Sequence, residues 1–295
     1  MSTLPQTLFN GLALGSLYAL IALGFNLVHK ASHVVNFAHG SLLLLGGYLV
    51  AVLHEPLGFL GAVAVAAAGT AAAAMLEALV LRRVRASGGA VPTILTIGVD
   101  ILLLTELGRR IGGEVLHLGD PWGDAVASFA GITVAQARIA SLLVTLVLVG
   151  AFLAAFRWSH WGLAIRTLSL DEEAAALMGV RGGRLRLSAW ALAGLMATVA
   201  ALFLAAFPSP GLDRTTGLIA LKAFPAAVVG GLGSVGGALL GSLVVGMAEA
   251  AAAGYQQQLS VLGGGLADVA PYLVMVLVLM ARPHGLLGSK ELTRV

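Results

Sequence analysis

Three carboxylates, Asp100, Glu106 and Glu249, stand inside stretches that are otherwise apolar, where a titrating group could relay protons. His33 and His39 lie six residues apart, close to Lys30 and Asn36, and could be imagined as metal ligands. Gly231-Leu-Gly-Ser-Val-Gly236 fits the G-x-G-x-x-G spacing of dinucleotide loops, and His54-Glu55-Pro56-Leu57-Gly58 opens like the H-E-x-x-H of zinc proteases. Each idea meets an objection. The histidines have no cysteine or carboxylate set beside them. The glycine motif sits between two apolar helical runs with no preceding strand. The His-Glu pair lacks its second His, and Pro56 does not suit a helix interior. There is no P-loop G-x-x-x-x-G-K-[ST] and no G-x-S-x-G nucleophile elbow. No enzyme, resident metal or cofactor is expected. The carboxylates read either as paired structural groups or as a proton site at Asp100 or Glu106.

The elements that hold these residues are membrane helices. The chain has 295 residues, 59% of them hydrophobic and only 11% charged, whereas soluble domains carry roughly 25% charged residues. Apolar runs of about 20 residues recur along the whole length, long enough to cross a bilayer as helices. With no cysteine, thiol catalysis and disulfides are excluded. The first basic residue is Lys30, so the N-terminus does not read as a cleaved signal peptide. The net charge of +3 does not argue for nucleic acid, because basic residues of membrane proteins gather in cytoplasmic loops.

Spans are predicted near 7–28, 39–54, 57–81, 91–109, 139–156, 187–207, 219–235, 237–254 and 267–281. The expected fold is an all-α polytopic membrane protein of about eight to ten helices, a single transmembrane domain over 1–295. Arg82, Arg83 and Arg85, the Arg157–Arg186 region, and Arg282, Lys290 and Arg294 are expected inside. The 111–137 loop, with Glu114, Asp120 and Asp124, is expected outside, as is the N-terminus. Arg109 and Arg110 dissent from this scheme.

One polar island, 157–186, interrupts the apolar spans with five Arg and three acidic residues. Ser169 and Glu172 are spaced as a capping box for a helix near 170–178, and Gly179 is placed to end it. A capped alanine-rich helix held out of the membrane is either an ordinary interfacial helix or a docking element.

The run Glu173-Ala174-Ala175, three residues, Gly179 resembles the EAA signature of permease subunits from ATP-binding-cassette importers. That resemblance implies a cytoplasmic coupling helix that docks on an ATPase subunit. Further blocks extend the likeness along the chain. Asn10-Gly-Leu-Ala-Leu-Gly-Ser16, Asn36-Phe37-Ala38-His39-Gly40, Pro92-Thr-Ile-Leu-Thr-Ile-Gly98, Gly230-Gly-Leu-Gly-Ser-Val-Gly-Gly-Ala238, Gly246-Met-Ala-Glu249 and Arg282-Pro-His-Gly-Leu-Leu-Gly288 resemble the H-type permease subunit of branched-chain amino acid importers. The chain departs from that pattern at Lys30-Ala-Ser-His33 and at Asp100, which leaves the solute open among branched-chain amino acids, urea, amides and related acids. The resemblance implies partners: two ATPase subunits, a second, M-type permease and an extracellular or periplasmic solute-binding protein. It also implies an inner-membrane location with a cytoplasmic C-terminus, and alternating access driven by ATP. A related sugar-type permease and a proton-coupled carrier are the alternatives.

Two segments draw attention on their residues alone. Asn36, Phe37, His39 and Gly40 join the first two spans; they either border the solute path or cap helix ends. Gly230, Gly231, Gly233, Gly236 and Gly237 read as a tight helix break, and Gly11/Gly15 and Gly237/Gly241 as small-residue packing faces.

Overall fold

The computed structural model describes residues 4–84, 90–122, 125–129, 132–206, 211–258 and 264–288. Arg85, Asp124, Lys290 and Arg294 lie outside them. The fold is helical, apart from a short antiparallel hairpin of β1 (Val126–Phe129) and β2 (Ile132–Ala135).

Helix α1 (Leu4–Ser32) is the central post. It is apolar on every side, the pattern of a helix buried all round rather than one with a solvent face. Leu20, Ile21, Ala22, Leu23, Leu27 and Val28 are fully buried. Around it stand α4 (Gln136–Trp158), α7 (Gly182–Leu204), α9 (Ala223–Gly230) and α10 (Val235–Gly254). Helix α1 meets α10 through small residues: side chains at Gly15 or Gly246 would run into the opposing backbone. The Gly11/Gly15 face is thus a packing face, as expected.

Helix α2 (His39–Val84) has 46 residues, about 69 Å of helix and twice what a bilayer needs. Gly58, at φ 68°, breaks it just after Pro56 into two arms. The arms match two predicted spans. Both pack on α7. Thr198 lies against Gly46, Thr70 lies against Gly194, and the two threonine hydroxyls are 2.6 Å apart. Helix α3 (Val91–Ile111) leans on α2 with much of its apolar surface facing outward.

Among the described residues, six helices are long and apolar enough to cross a membrane. The bend in α2 supplies a further crossing. Helix α11 (Leu266–Ala281) is shorter. The predicted span at 219–235 is not one helix but two, α8 (Thr216–Leu221) and α9, meeting at Lys222. Gly231 ends α9 at φ 101°, which a residue with a Cβ adopts poorly. The other long helices fall where the apolar runs predicted them.

The glycine break between α9 and α10 is clamped by α1. The Asn26 amide donates to the carbonyls of Gly231 (3.4 Å) and Ser234 (3.0 Å). The His29 ring Nδ1 lies 3.2 Å from the Leu232 carbonyl, and Lys30 Nζ donates to Gly233 O at 3.0 Å. Residues 26, 29 and 30 share one face of α1, the i, i+3, i+4 spacing. Ser234 caps α10 by accepting from the Gly237 amide. Below the break, Leu286 and Leu287 donate backbone N–H bonds to Val229 and Gly230. The segment is a turn without a preceding strand, so the dinucleotide reading does not apply.

Within the break the glycines differ. A Cβ at Gly230 or Gly237 would strike the other's carbonyl, whereas Gly233 and Gly236 have open space. Gly237→Val is therefore expected to destabilise the folded chain by about 1–3 kcal/mol through overpacking, and Gly233→Ala to be near neutral. Thermal unfolding of the two variants in detergent checks this; equal midpoints would contradict it.

Candidate functional site

After α1 the chain does not leave the bundle. His33 turns it with a left-handed φ of 55°. Residues 34–38 then run back along α1, until the His39 ring lies against Gly24 and 4.8 Å from the Phe25 ring. From Gly24 to Ser32 is about 12 Å of helix, so α2 starts well inside the bundle.

An irregular segment at that depth must satisfy its backbone internally. Thr96 of α3 accepts from the Phe37 N–H at 3.2 Å and lies 3.2 Å from the Val35 carbonyl. Asn36 Oδ1 accepts from the Ala38 amide at 2.9 Å, and the Asn36 carbonyl takes the His39 N–H. Asn36 is thus the cap of α2. Its amide Nδ2 also donates to Glu77 Oε2 at 3.2 Å. Glu77 is buried and is paired with Asn36 rather than with Arg82 or Arg83, which follow it on α2. Those arginines lie about one and a half turns further along α2 and are exposed.

Of the four path candidates, Asn36, His39 and Gly40 are buried and Phe37 is half-buried. Phe37 and Phe25 both meet Phe224 at the start of α9, with ring centroids 5.5 Å apart in each case. Gly40 lets α2 approach the Gly217 carbonyl of α8. Neither nitrogen of the His39 ring has a partner among the described residues. The capping role accounts for Asn36 and leaves His39 without one.

The other carboxylates are paired or near a donor. Glu106 holds Arg109 (2.9 Å) and Arg110 (2.6 Å) on the exposed end of α3, which offsets part of the basic charge that dissented from the orientation scheme. Glu249 accepts from the Tyr18 hydroxyl at 2.6 Å and lies 3.5 Å from Lys222, which bonds Asp268 at 2.5 Å. Tyr18 and Lys222 were not singled out as site residues, because nothing in their sequence neighbourhoods reports a partner more than two hundred or about thirty residues away. Asp100 is half-buried near Ser41.

At the basic end of the bundle the polar island forms an elbow. Helix α5 (His160–Leu170) is capped by Ser159, whose hydroxyl accepts from Gly162 N. It is bolted to both neighbouring spans. Arg166 donates to the Phe156 carbonyl at 2.5 Å and lies over the Phe156 ring, and Trp161 Nε1 donates to Ser188 of α7 at 2.8 Å. The next helix, α6 (Glu172–Leu177), is capped by Asp171, not Ser169. Ser169 belongs to α5 and spends its hydroxyl on the Arg166 carbonyl. Glu172 reaches Arg186 at 2.8 Å instead of closing a capping box. The helix predicted over 170–178 is thus α6, which starts two residues later because Asp171, not Ser169, caps it.

Gly179 ends α6 at φ 82°. Its N–H bonds the Ala176 carbonyl, and Val180 N–H bonds Ala175 O, the Schellman arrangement. Glu173 and Ala174 are exposed, but Ala175 is fully buried. The outward surface carries Leu170, Leu177 and Met178 at 87%, 91% and 80% exposure, an apolar tip at the end of a fixed elbow.

Comparison with known proteins gives a consistent answer. Residues 7–280 match the family described as branched-chain amino acid transport system / permease component. The chain is 33% identical to the high-affinity branched-chain amino acid transport system permease protein LivH of Salmonella typhimurium, over 98% of this chain and 97% of that one. It is 32% identical to BraD, the corresponding permease protein of Pseudomonas aeruginosa, over the same shares. The xylose transport system permease protein XylH of Escherichia coli is 34% identical, but over only 47% of this chain and 35% of its own.

The Asn36–Glu77 pair yields a direct check. Asn36→Leu removes the α2 cap and leaves a buried carboxyl without its donor, so a loss of about 1–3 kcal/mol is expected. Glu77→Gln keeps an acceptor for Asn36 and should cost less. Unfolding midpoints of the two variants that rank the other way would contradict the pairing.

Proposed function

Because the chain belongs to the branched-chain amino acid transport system / permease component family, we propose that it is a membrane-spanning subunit of an ATP-binding-cassette importer for branched-chain amino acids or a chemically related small solute. The observation that carries the coupling part is the elbow: α5, joined to α4 and α7 by part-buried hydrogen bonds, holds out the short capped helix α6 with its exposed apolar tip. Such a tip is costly in water unless something covers it, and the elbow transmits force because it cannot hinge freely at either span. Glu173, Ala174 and the tip residues Leu170, Leu177 and Met178 form the docking face. Ala175 and Gly179 hold its shape from behind.

In this reading the whole chain, 1–295, is one permease domain of the inner membrane. The basic end faces the cytoplasm, following the positive-inside rule, and the N-terminus faces outward. Two ATPase subunits sit beneath, an M-type permease beside, and a solute-binding protein delivers solute from outside. ATP binding draws the elbows together and alternates access. Asn36, Phe37, His39 and Gly40 border the path, with His39 gaining a partner when the α1–α2 junction opens. Full-length similarity to LivH and BraD, against half-length similarity to XylH, favours the amino acid solute over a sugar. A proton carrier finds little support in Glu106, which is held by two arginines.

Reconstitution with co-expressed ATPase subunits and binding protein tests the proposal. Leu177→Asp should cut ATP-driven uptake at least about tenfold, the loss expected for an interface anchor, while the chain still inserts and folds. Normal uptake in that variant would sink the coupling role. Concentrative uptake by the purified chain alone, under an imposed proton gradient, would overturn the importer assignment.

A further inference from the structure

The basic end of the bundle holds a cavity of about 300 Å³ between the ends of α1 and α2 and the starts of α3 and α7. Four arginines line it, Arg82, Arg181, Arg184 and Arg186. Arg186 is engaged by Glu172. The side chains of the other three make no ion pair or hydrogen bond among the described residues. Like charges gathered around a concavity repel one another, and an anion between them relieves that cost.

Two further features have the same sign. The cavity contains Gly182 and Gly183, the first residues of the 23-residue helix α7. That helix start has no capping side chain and no acidic residue in its first turn, so its positive dipole end points into the arginine cluster uncompensated. The inner wall is apolar, formed by Val34, Leu81, Leu187 and Trp190, whose indole is anchored to Ser32 at 2.9 Å. Beside it, Leu79, Val91 and Ile94 are exposed on the outer surfaces of α2 and α3.

We propose that this cavity binds the phosphate of an anionic phospholipid, with the acyl chains lying along the exposed face of α2 and α3. Basic pockets between membrane helices at the cytoplasmic side suit such headgroups. The arginine fork pairs with phosphate oxygens in two parallel hydrogen bonds. A free phosphate would use the arginines and the helix start but not the apolar wall or the exposed flank. The inference rests on the chain's own cavity and on the cytoplasmic placement of the basic end proposed above, not on which solute the chain carries. The ligand would lie against the elbow, because Glu172 and a bound phosphate compete for Arg186.

The test uses the full chain in neutral detergent, with native mass spectrometry to read retained lipid. Phosphatidylglycerol should be retained at least about fivefold more strongly than phosphatidylcholine, and the double variant R82Q/R184Q should lose roughly thirtyfold in phosphatidylglycerol binding, from about 1 kcal/mol per arginine. E172Q, which frees Arg186, should bind phosphatidylglycerol more tightly. Equal retention of the two lipids, or a preference that survives R82Q/R184Q, would overturn the proposal. Should the double variant fail to fold, E172Q decides, and unchanged retention there overturns it. Inorganic phosphate that raises the unfolding temperature as much as phosphatidylglycerol would assign the cavity to a free anion and overturn the lipid site.

Discussion

An unpaired backbone amide or carbonyl in a bilayer costs several kcal/mol, and this chain carries irregular backbone at two places beside its central helix. Residues 34–38 run back along α1, and residues 231–234 break α9 from α10. Both are held by side chains chosen for the purpose. Thr96 and Asn36 complete the first segment. Asn26, His29 and Lys30, one turn of α1, take four successive carbonyls of the second. The bundle keeps two bends at one end because α3 and the Asn36 side chain supply the missing bonds of the first and α1 those of the second. Helices α2, α9 and α10 therefore converge on the same few turns of α1.

That convergence places the elbow in mechanical contact with the bundle. Helix α5 is tied to the Phe156 carbonyl at the end of α4 and to Ser188 near the start of α7. Helix α7 continues along both arms of α2 through Gly194 and Thr198. Packed helices, rather than a loose linker, thus lie between the apolar tip of α6 and the segment that carries His39. Toward the opposite end the polar groups form closed sets, Glu106 with two arginines and Glu249 with Tyr18 and Lys222. The Glu249 set ties α1 and α10 to the α8–α9 joint, and the Glu106 set lies within α3. A buried His39 with both ring nitrogens unpartnered contrasts with them.

Much of the bundle was legible because apolar runs report membrane helices directly. Gly179 and Gly237 were legible for a local reason: a left-handed turn and a backbone-to-backbone contact admit little besides glycine. What escaped depends on competition or distance. Ser169 and Asp171 both suit a helix cap, and only the fold shows that Ser169 falls inside α5. The alanines of α6 look alike in sequence, yet Ala175 faces inward and Ala174 outward. Glu77 has arginines five and six residues ahead, but its partner is Asn36, 41 residues back, because α2 carries Glu77 to the level where the re-entrant segment ends. The run at 219–235 is apolar enough for a span, and only tertiary contacts divide it at Lys222.

The natural absence of cysteine makes one measurement decisive. A single thiol placed by Leu177→Cys at the elbow tip can carry a short photo-activated cross-linker in vesicles that contain the co-expressed ATPase subunits. Leu60→Cys, 81% exposed and just past the bend of α2, serves as the control. An adduct with the ATPase subunit from position 177 and none from position 60 is the expected result. No adduct from position 177 in vesicles that hydrolyse ATP and accumulate solute, or equal adducts from both positions, would contradict docking at the elbow.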